Sequence, residues 1–133
     1  MSRLNRITAA NCPGNCFITL FAAVLNPATG RIDYCNAGHN PPVLIHKNGE
    51  VGQLGATGLV EGIVGDATYQ EGICALERGD ILLLFSDGLT EASKPDSGEE
   101  FGEERLINLL KKERDQPSAK LLDREAANAD LRP

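Results

Sequence analysis

The pattern of apolar and polar residues predicts a helix at the start of the chain, then several short strands, then further helices. Leu4, Ile7 and Ala10 are spaced three residues apart, which predicts a helix with these residues on one face. Residues 17–25 are almost continuously apolar, which predicts a central strand. Residues 31–35 alternate in polarity, which predicts a strand with one exposed face.

Turn residues separate the predicted strands. Residues 26–30 have proline early and glycine late, as the stereochemistry of turns favours. Asn48 and Gly49 lie between apolar residues 41–46 and 51–54. This combination predicts a two-stranded hairpin.

Five consecutive apolar residues at positions 81–85 predict a strand buried on both faces, after a further strand at residues 69–76. The apolar run leads directly to Asp87 and Gly88, so it would hold the Asp87 carboxylate at the end of a rigid element. A carboxylate in such a position can bind a hard divalent cation. The alternative is that Asp87 caps a short helical turn at residues 89–92, because aspartate at a helix start accepts backbone N–H groups.

His39 follows Ala37 and Gly38 at the end of a predicted strand, in a turn stiffened by two prolines. A histidine at a strand end can serve as a metal ligand or a general acid. The alternative is a ring that is hydrogen-bonded to the backbone and holds the turn. His46 lies on the predicted hairpin, and we expect it to be simply exposed.

The last third of the chain predicts helices. Gly102 can cap a helix over residues 103–113, whose acidic residues at the start and lysines at the end suit the helix dipole. Its apolar stripe consists of Leu106, Ile107, Leu109 and Leu110. Pro117 and Ser118 predict the start of another helix.

Length and charge narrow the classes of partner. The 133 residues fit one domain, and an apolar content of 41% is enough for an ordinary core. The formal charge of −6 argues against nucleic acid or an anionic membrane surface as a partner, since both favour a basic patch. No stretch approaches the roughly 18 apolar residues that a membrane-spanning helix needs. The first residues are not a secretory signal, and we expect a cytoplasmic protein.

The four cysteines are expected to be reduced. Cys12 and Cys16 have a spacing that suits a turn or one half of a zinc site. A zinc site of this kind needs a second pair, and Cys35 and Cys74 are isolated in the sequence. Without an export signal, free cytosolic thiols are the better interpretation.

Several motifs occur in an order that resembles a known family. They are Phe-Ile-Thr-Leu-Phe at 17–21, Asn-Ala-Gly-His-Asn-Pro-Pro at 36–42, Gly-Asp at 79–80, Ser-Asp-Gly-Leu-Thr-Glu-Ala at 86–92, and Phe-Gly-Glu-Glu-Arg-Leu at 101–106. Together they resemble the C-terminal portion of the SpoIIE/RsbU-like branch of the PPM metal-dependent serine/threonine phosphatases. The resemblance extends from about Leu4 to Asp123.

The resemblance implies an α+β fold, a partial αββα sandwich of antiparallel sheets flanked by helices, with a metal site at one edge. It implies hydrolysis of phosphoserine or phosphothreonine on a protein, typically a phosphorylated anti-sigma-factor antagonist in a partner-switching pathway. Two Mn or Mg ions would activate the attacking water. Asp87 matches a metal ligand of the family, while His39 and Gly88 would lie at the edge of the site. The resemblance assigns no catalytic side chain.

Two ligand-bearing segments of the family have no counterpart in this sequence. One is an Asp-Val-Ser-Gly-His-Gly-like segment before the first helix, and the other is an Asp-Asp-Ile-Thr-like segment near the end. Residues 1–133 therefore resemble a single, truncated domain. The loop of residues 57–62 also differs, since relatives usually have Pro-Leu-Gly there.

These departures lead to further expectations. One carboxylate cannot satisfy two cations that each need about six oxygen ligands, so we expect weak Mn or Mg binding and negligible hydrolysis by the isolated chain. Exposed sheet edges are expected to favour self-association. Two other hypotheses remain open. One is a non-catalytic module that binds a phosphoprotein, and the other is an unrelated small β-barrel in which Asp87 is a helix cap.

Overall fold

The computed structural model describes residues 1–12, 16–93, 98–113 and 116. The elements are α1 (Ser2–Asn11), β1 (Leu20–Leu25), β2 (Arg31–Ala37), β3 (Val43–Ile45), β4 (Val51–Gln53), β5 (Gly72–Ala75), β6 (Ile81–Leu83), α2 (Asp87–Thr90) and α3 (Glu103–Glu113). The chain divides into two compact units, Met1–Leu82 and Leu83–Pro133. Over the residues described, no helix combines the length and apolar character that crossing a membrane requires.

The strands form two three-stranded sheets. In the first sheet the order is β1-β2-β5, and both neighbouring pairs are antiparallel. In the second sheet the order is β4-β3-β6, with β3 and β4 antiparallel. The predicted α+β class with two small antiparallel sheets is confirmed, and two separate sheets argue against the small barrel.

Glycine turns join the strands where the sequence predicts them. Gly30 has a φ of 72° between β1 and β2, and its N–H donates to the Asn26 carbonyl at 2.8 Å. Gly49 has a φ of 93° in the turn between β3 and β4, where the His46 N–H donates to the Glu50 carbonyl at 2.9 Å. These positive φ values are readily adopted only by glycine. The predicted turn and hairpin are both confirmed.

The prediction that the first apolar run forms a central strand is wrong. Among the residues that the structure describes, β1 lies at the edge of its sheet and pairs only with β2. Val24 is 72% exposed and Leu25 is 51% exposed. A continuous apolar run is typical of a strand covered on both faces, and the described residues do not provide that cover for β1.

Helix α1 forms as predicted, but its apolar face is not its buried face. Leu4 and Ile7 of the predicted apolar face are 44% and 53% exposed. The buried residues of the helix are polar, with Asn5 at 0% and Thr8 at 7% exposure. Hydrogen bonding rather than apolar burial must therefore account for the position of this helix.

The Asn5 side chain anchors α1 to the loop that precedes β5. Its Nδ2 donates to the carbonyls of Val64 at 2.8 Å and Gly65 at 3.2 Å. Its Oδ1 accepts the Gly62 N–H at 2.9 Å. Because a buried amide loses its hydrogen bonds to water, these three partners are what permits its complete burial.

Strand β6 is shorter and less buried than predicted. It ends at Leu83, which is 8% exposed, and Leu84 is already outside the strand and 53% exposed. In the described part of the chain, β6 lies at the edge of its sheet, beside β3. The prediction of a strand over residues 81–85 that is buried on both faces is therefore wrong.

The second unit contains the helix predicted from the apolar stripe. Helix α3 has the predicted bounds, and Leu106 and Leu110 are 0% and 2% exposed. Glu103 and Glu104 lie in its first turn, and two lysines lie in its last turn, as the helix dipole favours. The helix predicted to start at Pro117 lies outside the described residues.

All four cysteines carry free thiols. The buried Cys35 Sγ accepts a hydrogen bond from the Thr57 hydroxyl at 3.4 Å. Burial raises the pKa of the Cys74 thiol, which lowers its reactivity because the thiolate is the nucleophilic form.

The Asp80 carboxylate joins the β3–β4 hairpin to the turn before β6. Its side chain is 2% exposed and accepts the N–H groups of Lys47 at 2.9 Å and Glu77 at 3.0 Å. His46 Nδ1 lies 3.1 Å from the same carboxylate, and the His46 side chain is 38% exposed. The expectation that His46 is simply exposed is therefore wrong, because the ring is paired with Asp80.

This arrangement predicts a loss of stability in acid. The Glu77 N–H, the Lys47 N–H and His46 lower the pKa of Asp80 below its ordinary value. The unfolded chain therefore binds a proton at a higher pH than the folded chain. The stabilisation from Asp80 is complete above the unfolded pKa and is lost as pH falls through the lower, folded pKa.

Urea unfolding of the wild type and of Asp80→Asn, from about pH 7 to about pH 3, measures this effect. We expect the difference in unfolding free energy between the two proteins to shrink towards the acid end. Asp66→Asn, at an exposed position, is the matched control. A difference for Asp80→Asn that stays constant with pH would contradict the assignment.

Candidate functional site

Asp87 is an exposed residue at the start of helix α2. The N-cap of this helix is Ser86, whose side chain makes no capping hydrogen bond. Asp87 Oδ1 accepts the N–H of its neighbour Gly88 at 2.8 Å, and the Asp87 carbonyl accepts the Glu91 N–H at 2.8 Å. The Asp87 carboxylate is therefore not the N-cap, and solvent can reach it.

The turn that carries His39 is held by Asn36. The Asn36 side chain is 0% exposed, and its Oδ1 accepts the His39 N–H at 2.8 Å. Its Nδ2 donates to the carbonyls of His39 and Leu54, each at 3.1 Å. His39 Nδ1 is hydrogen-bonded to Thr19 Oγ1 at 3.1 Å. The ring of His39 thus contacts a side chain, while the hydrogen bonds that hold the turn join the His39 backbone to Asn36.

Gly38 makes this turn possible. Its φ is 69°, and an added Cβ would lie 2.3 Å from Val60 Cγ1. A larger residue would meet both a left-handed backbone conformation and a steric clash. The position of His39 is therefore fixed by a glycine before it and a buried asparagine three residues earlier.

Glu61 is buried in the loop whose sequence departs from the family pattern. It is 1% exposed, and its Oε1 has no hydrogen-bond partner. The Tyr69 hydroxyl is also buried and without a partner. Burial of the Tyr69 ring, followed by the nearby Glu61 charge, raises the pKa of this hydroxyl. Because unpaired buried polar atoms lose their hydration, this loop carries a free-energy cost.

The described residues do not by themselves fit a two-metal centre. Among them, no group of three or more histidine, cysteine, aspartate or glutamate side chains is arranged to hold a metal ion. Asp87 and Gly88 belong to the second unit and His39 belongs to the first. Since each hard cation needs about six oxygen ligands, Asp87 alone is insufficient.

Sequence patterns do not identify several of the polar side chains that the structure buries, among them those of Asn36, Asp80 and Glu61. Asn36 and Asp80 lie within the quoted motifs, but their partners Leu54 and Lys47 are 18 and 33 residues away. Glu61 lies within the loop noted for its departure from the family. The only sequence signal for these residues is their position in or near a motif, and that position does not indicate which residues they contact.

Comparison with known sequences places these features in a family. The family model described as Stage II sporulation protein E (SpoIIE) matches residues 1–131. Phosphoserine phosphatase RsbU of Bacillus subtilis is 39% identical over 92 residues, covering 68% of this chain and 28% of that protein. Protein IcfG of Synechocystis is 33% identical over 94 residues, covering 71% of this chain and 15% of that protein. The chain thus spans less than a third of either relative.

Solved structures agree on the fold. The SiaA-PP2C domain of Pseudomonas aeruginosa has a TM-score of 0.70 at 18% identity, covering 85% of this chain and 44% of that one. The RsbU and RsbW domains of a Mycobacterium tuberculosis protein have a TM-score of 0.60 at 24% identity, and the match covers 84% of this chain and 30% of that one. The phosphatase domain of Bacillus subtilis SpoIIE has a TM-score of 0.55 at 17% identity, and the match covers 86% of this chain and 50% of that one.

The similar structures show the fold, and the sequence matches show the family. The predicted resemblance to PPM-type phosphatase domains is confirmed by both. Because the family model matches nearly the whole sequence, the chain belongs to the SpoIIE family.

Proposed function

We propose that this chain supplies one part of a metal-dependent phosphoserine/phosphothreonine phosphatase centre, with Asp87 as a ligand for Mn or Mg. The observation that carries the proposal is the position of Asp87, an exposed carboxylate at the junction after β6 and at the start of α2. The Asp-Gly pair stands in a motif that resembles the metal-binding segment of the family. Carboxylate oxygens are the ligands that these hard cations prefer.

The proposed substrate is a phosphorylated regulatory protein that resembles an anti-sigma-factor antagonist. Two relatives support this substrate class. One is named a phosphoserine phosphatase, and the other combines RsbU and RsbW domains in one structure. We propose a cytoplasmic role in a partner-switching pathway.

The proposal predicts weak metal binding that depends on Asp87. Titration of Mn²⁺ into the chain, followed by electron paramagnetic resonance, measures the free ion. We expect Asp87→Asn to weaken the residual affinity by about threefold or more, because one charged ligand is lost. Asp66→Asn removes an exposed carboxylate elsewhere and should leave the affinity unchanged. Equal affinities for the wild type and Asp87→Asn would refute the role of Asp87.

The same chain is expected to show no turnover of para-nitrophenyl phosphate with Mn²⁺, since the described residues contain a single matched ligand. Turnover that Asp87→Ala abolishes would overturn this expectation of inactivity while supporting Asp87 as a ligand. The two measurements therefore separate the ligand assignment from the question of activity.

A second candidate function is a non-catalytic module that binds the phosphoprotein. It is favoured by the lack of a three-ligand metal cluster among the residues described. Binding of a phosphoserine peptide without Mn²⁺, measured against its unphosphorylated form, distinguishes the two. Phosphate-dependent binding that Asp87→Asn leaves unchanged would favour the binding module.

A further inference from the structure

Residues 57–62 form a loop that is hydrogen-bonded to the base of the His39 turn. The N–H groups of Thr57 and Gly58 donate to the Asn36 carbonyl at 2.9 and 3.2 Å. The Thr57 hydroxyl oxygen accepts the Asn36 N–H at 2.9 Å. Because the Asn36 side chain in turn bonds the backbone of His39, this loop supports the residue that holds the turn.

The far end of the loop is held by further hydrogen bonds. The Glu61 N–H donates to the Ile18 carbonyl at 2.8 Å, and the Ile18 N–H donates to the Glu61 carbonyl at 2.9 Å. The Gly62 N–H donates to Asn5 Oδ1 at 2.9 Å. The loop is thus fixed at both ends, and it can leave its place only if several of these bonds break together.

The Glu61 side chain opposes this bonded state. It is 1% exposed, and its Oε1 has no hydrogen-bond partner, as is also true of the buried Tyr69 hydroxyl. A polar group that has lost its water and gained no partner destabilises the conformation that buries it. Both atoms are already enclosed by protein, so an additional segment of chain could reach them only after the loop had moved.

We propose that residues 57–62 open as one unit in the native protein, that the Glu61 side chain enters water in the open state, and that the opening frees the His39 turn. Hydration of the Glu61 carboxyl group and the Tyr69 hydroxyl offsets part of the cost of the broken bonds. The open state is then a minor state, with a population on the order of 1%. This inference does not depend on the proposed phosphatase function.

Native-state hydrogen exchange tests the opening in the wild type. We expect the N–H groups of Thr57, Gly58 and Gly62 to exchange about tenfold or more faster than those of β2, with protection factors within about threefold of one another. Low concentrations of urea should change their exchange little, because a local opening exposes little new surface. Loop amides as protected as β2, or three widely different protection factors, would overturn the proposal.

Glu61→Met tests the cause of the opening. It removes the carboxyl group and keeps an unbranched side chain of similar size. We expect exchange of the loop amides to slow by about tenfold or more, because the closed state no longer buries an unpaired carboxyl oxygen. Tyr69→Phe removes the other unpaired atom and should slow the same amides. Glu71→Met makes the same change at an exposed position and should leave their exchange within about twofold of the wild type.

The N–H of His39 reports whether the loop and the turn open together. It donates to Asn36 Oδ1 at 2.8 Å. We expect it to exchange with the loop amides in the wild type and to slow with them in Glu61→Met. Loop exchange that is unchanged or faster in Glu61→Met would refute the role of Glu61. A His39 N–H that stays as protected as β2 while the loop exchanges would refute the release of the turn.

Discussion

Replacing Gly30 by alanine is expected to destabilise the first unit strongly. The backbone at Gly30 has a φ of 72°, and an added Cβ would lie 2.0 Å from the Leu76 carbonyl oxygen. The Leu76 N–H donates to the Gly30 carbonyl at 2.8 Å, so the two backbones cannot separate without losing this bond. We expect a loss of about 4 kcal/mol, near the upper end for point substitutions. Urea unfolding monitored by circular dichroism measures it.

Gly49→Ala is a matched control for this prediction. Gly49 also has a positive φ, 93°, but no atom lies within 4 Å of an added Cβ. It should therefore cost only the strain of a left-handed alanine, about 1–2 kcal/mol. Equal losses for Gly30→Ala and Gly49→Ala would show that the close approach to Leu76 does not limit stability.

Replacing Asn36 by alanine is expected to release the turn that carries His39. The substitution removes three side-chain hydrogen bonds, two to the backbone of His39 and one to the Leu54 carbonyl. It also leaves a cavity, since Asn36 is 0% exposed. We expect a loss of about 3 kcal/mol and a change in the NMR signals of the His39 ring and of Thr19. Both are measurable on the same sample.

His39→Ala separates the turn from its side chain. It removes the contact of the ring with Thr19 Oγ1 and leaves the three hydrogen bonds of Asn36 in place. We expect a loss below about 1 kcal/mol, as is usual when a single partly exposed contact is removed. If His39→Ala destabilises the protein as much as Asn36→Ala, the ring itself is a principal support of the turn.

The parts of the fold that local chemistry determines were predictable. Asn48 and Gly49 specified a hairpin, because a tight turn requires positive φ values within a few residues. The apolar stripe of α3 and the charges at its ends specified its bounds. Proline and glycine at residues 26–30 specified the turn before β2. In each case the deciding interactions lie within one turn or one hairpin.

The predictions that were wrong concern features that depend on contacts between residues far apart in the sequence. Spacing identified α1 as a helix, yet Asn5 is buried because its partners are Val64, Gly65 and Gly62. The apolar run at β1 predicts a strand correctly. It does not predict that the strand lies at a sheet edge, because its place in the sheet depends on which strands pair. Similarly, the pairing of His46 with Asp80 joins residues 34 positions apart. Periodicity carries no information about such partners.

The candidate site also contains residues that the sequence predicts and residues that it does not. The position of Asp87 after an apolar run predicts a metal ligand, and the structure shows Asp87 at the exposed start of a helix. The strand before it proved shorter and less buried than its composition indicated. Asn36 could not be selected, because its function is to satisfy backbone groups in two separate loops.

The anchoring of α1 by Asn5 also has a consequence for the order of folding during synthesis. A ten-residue helix is marginally stable in water by itself, and this one receives its hydrogen bonds from a loop 57–60 residues later in the chain. Helix α1 therefore cannot be held in its folded position until the ribosome has released that loop. Although α1 is synthesised before that loop, it is therefore fixed in place only after the loop is available.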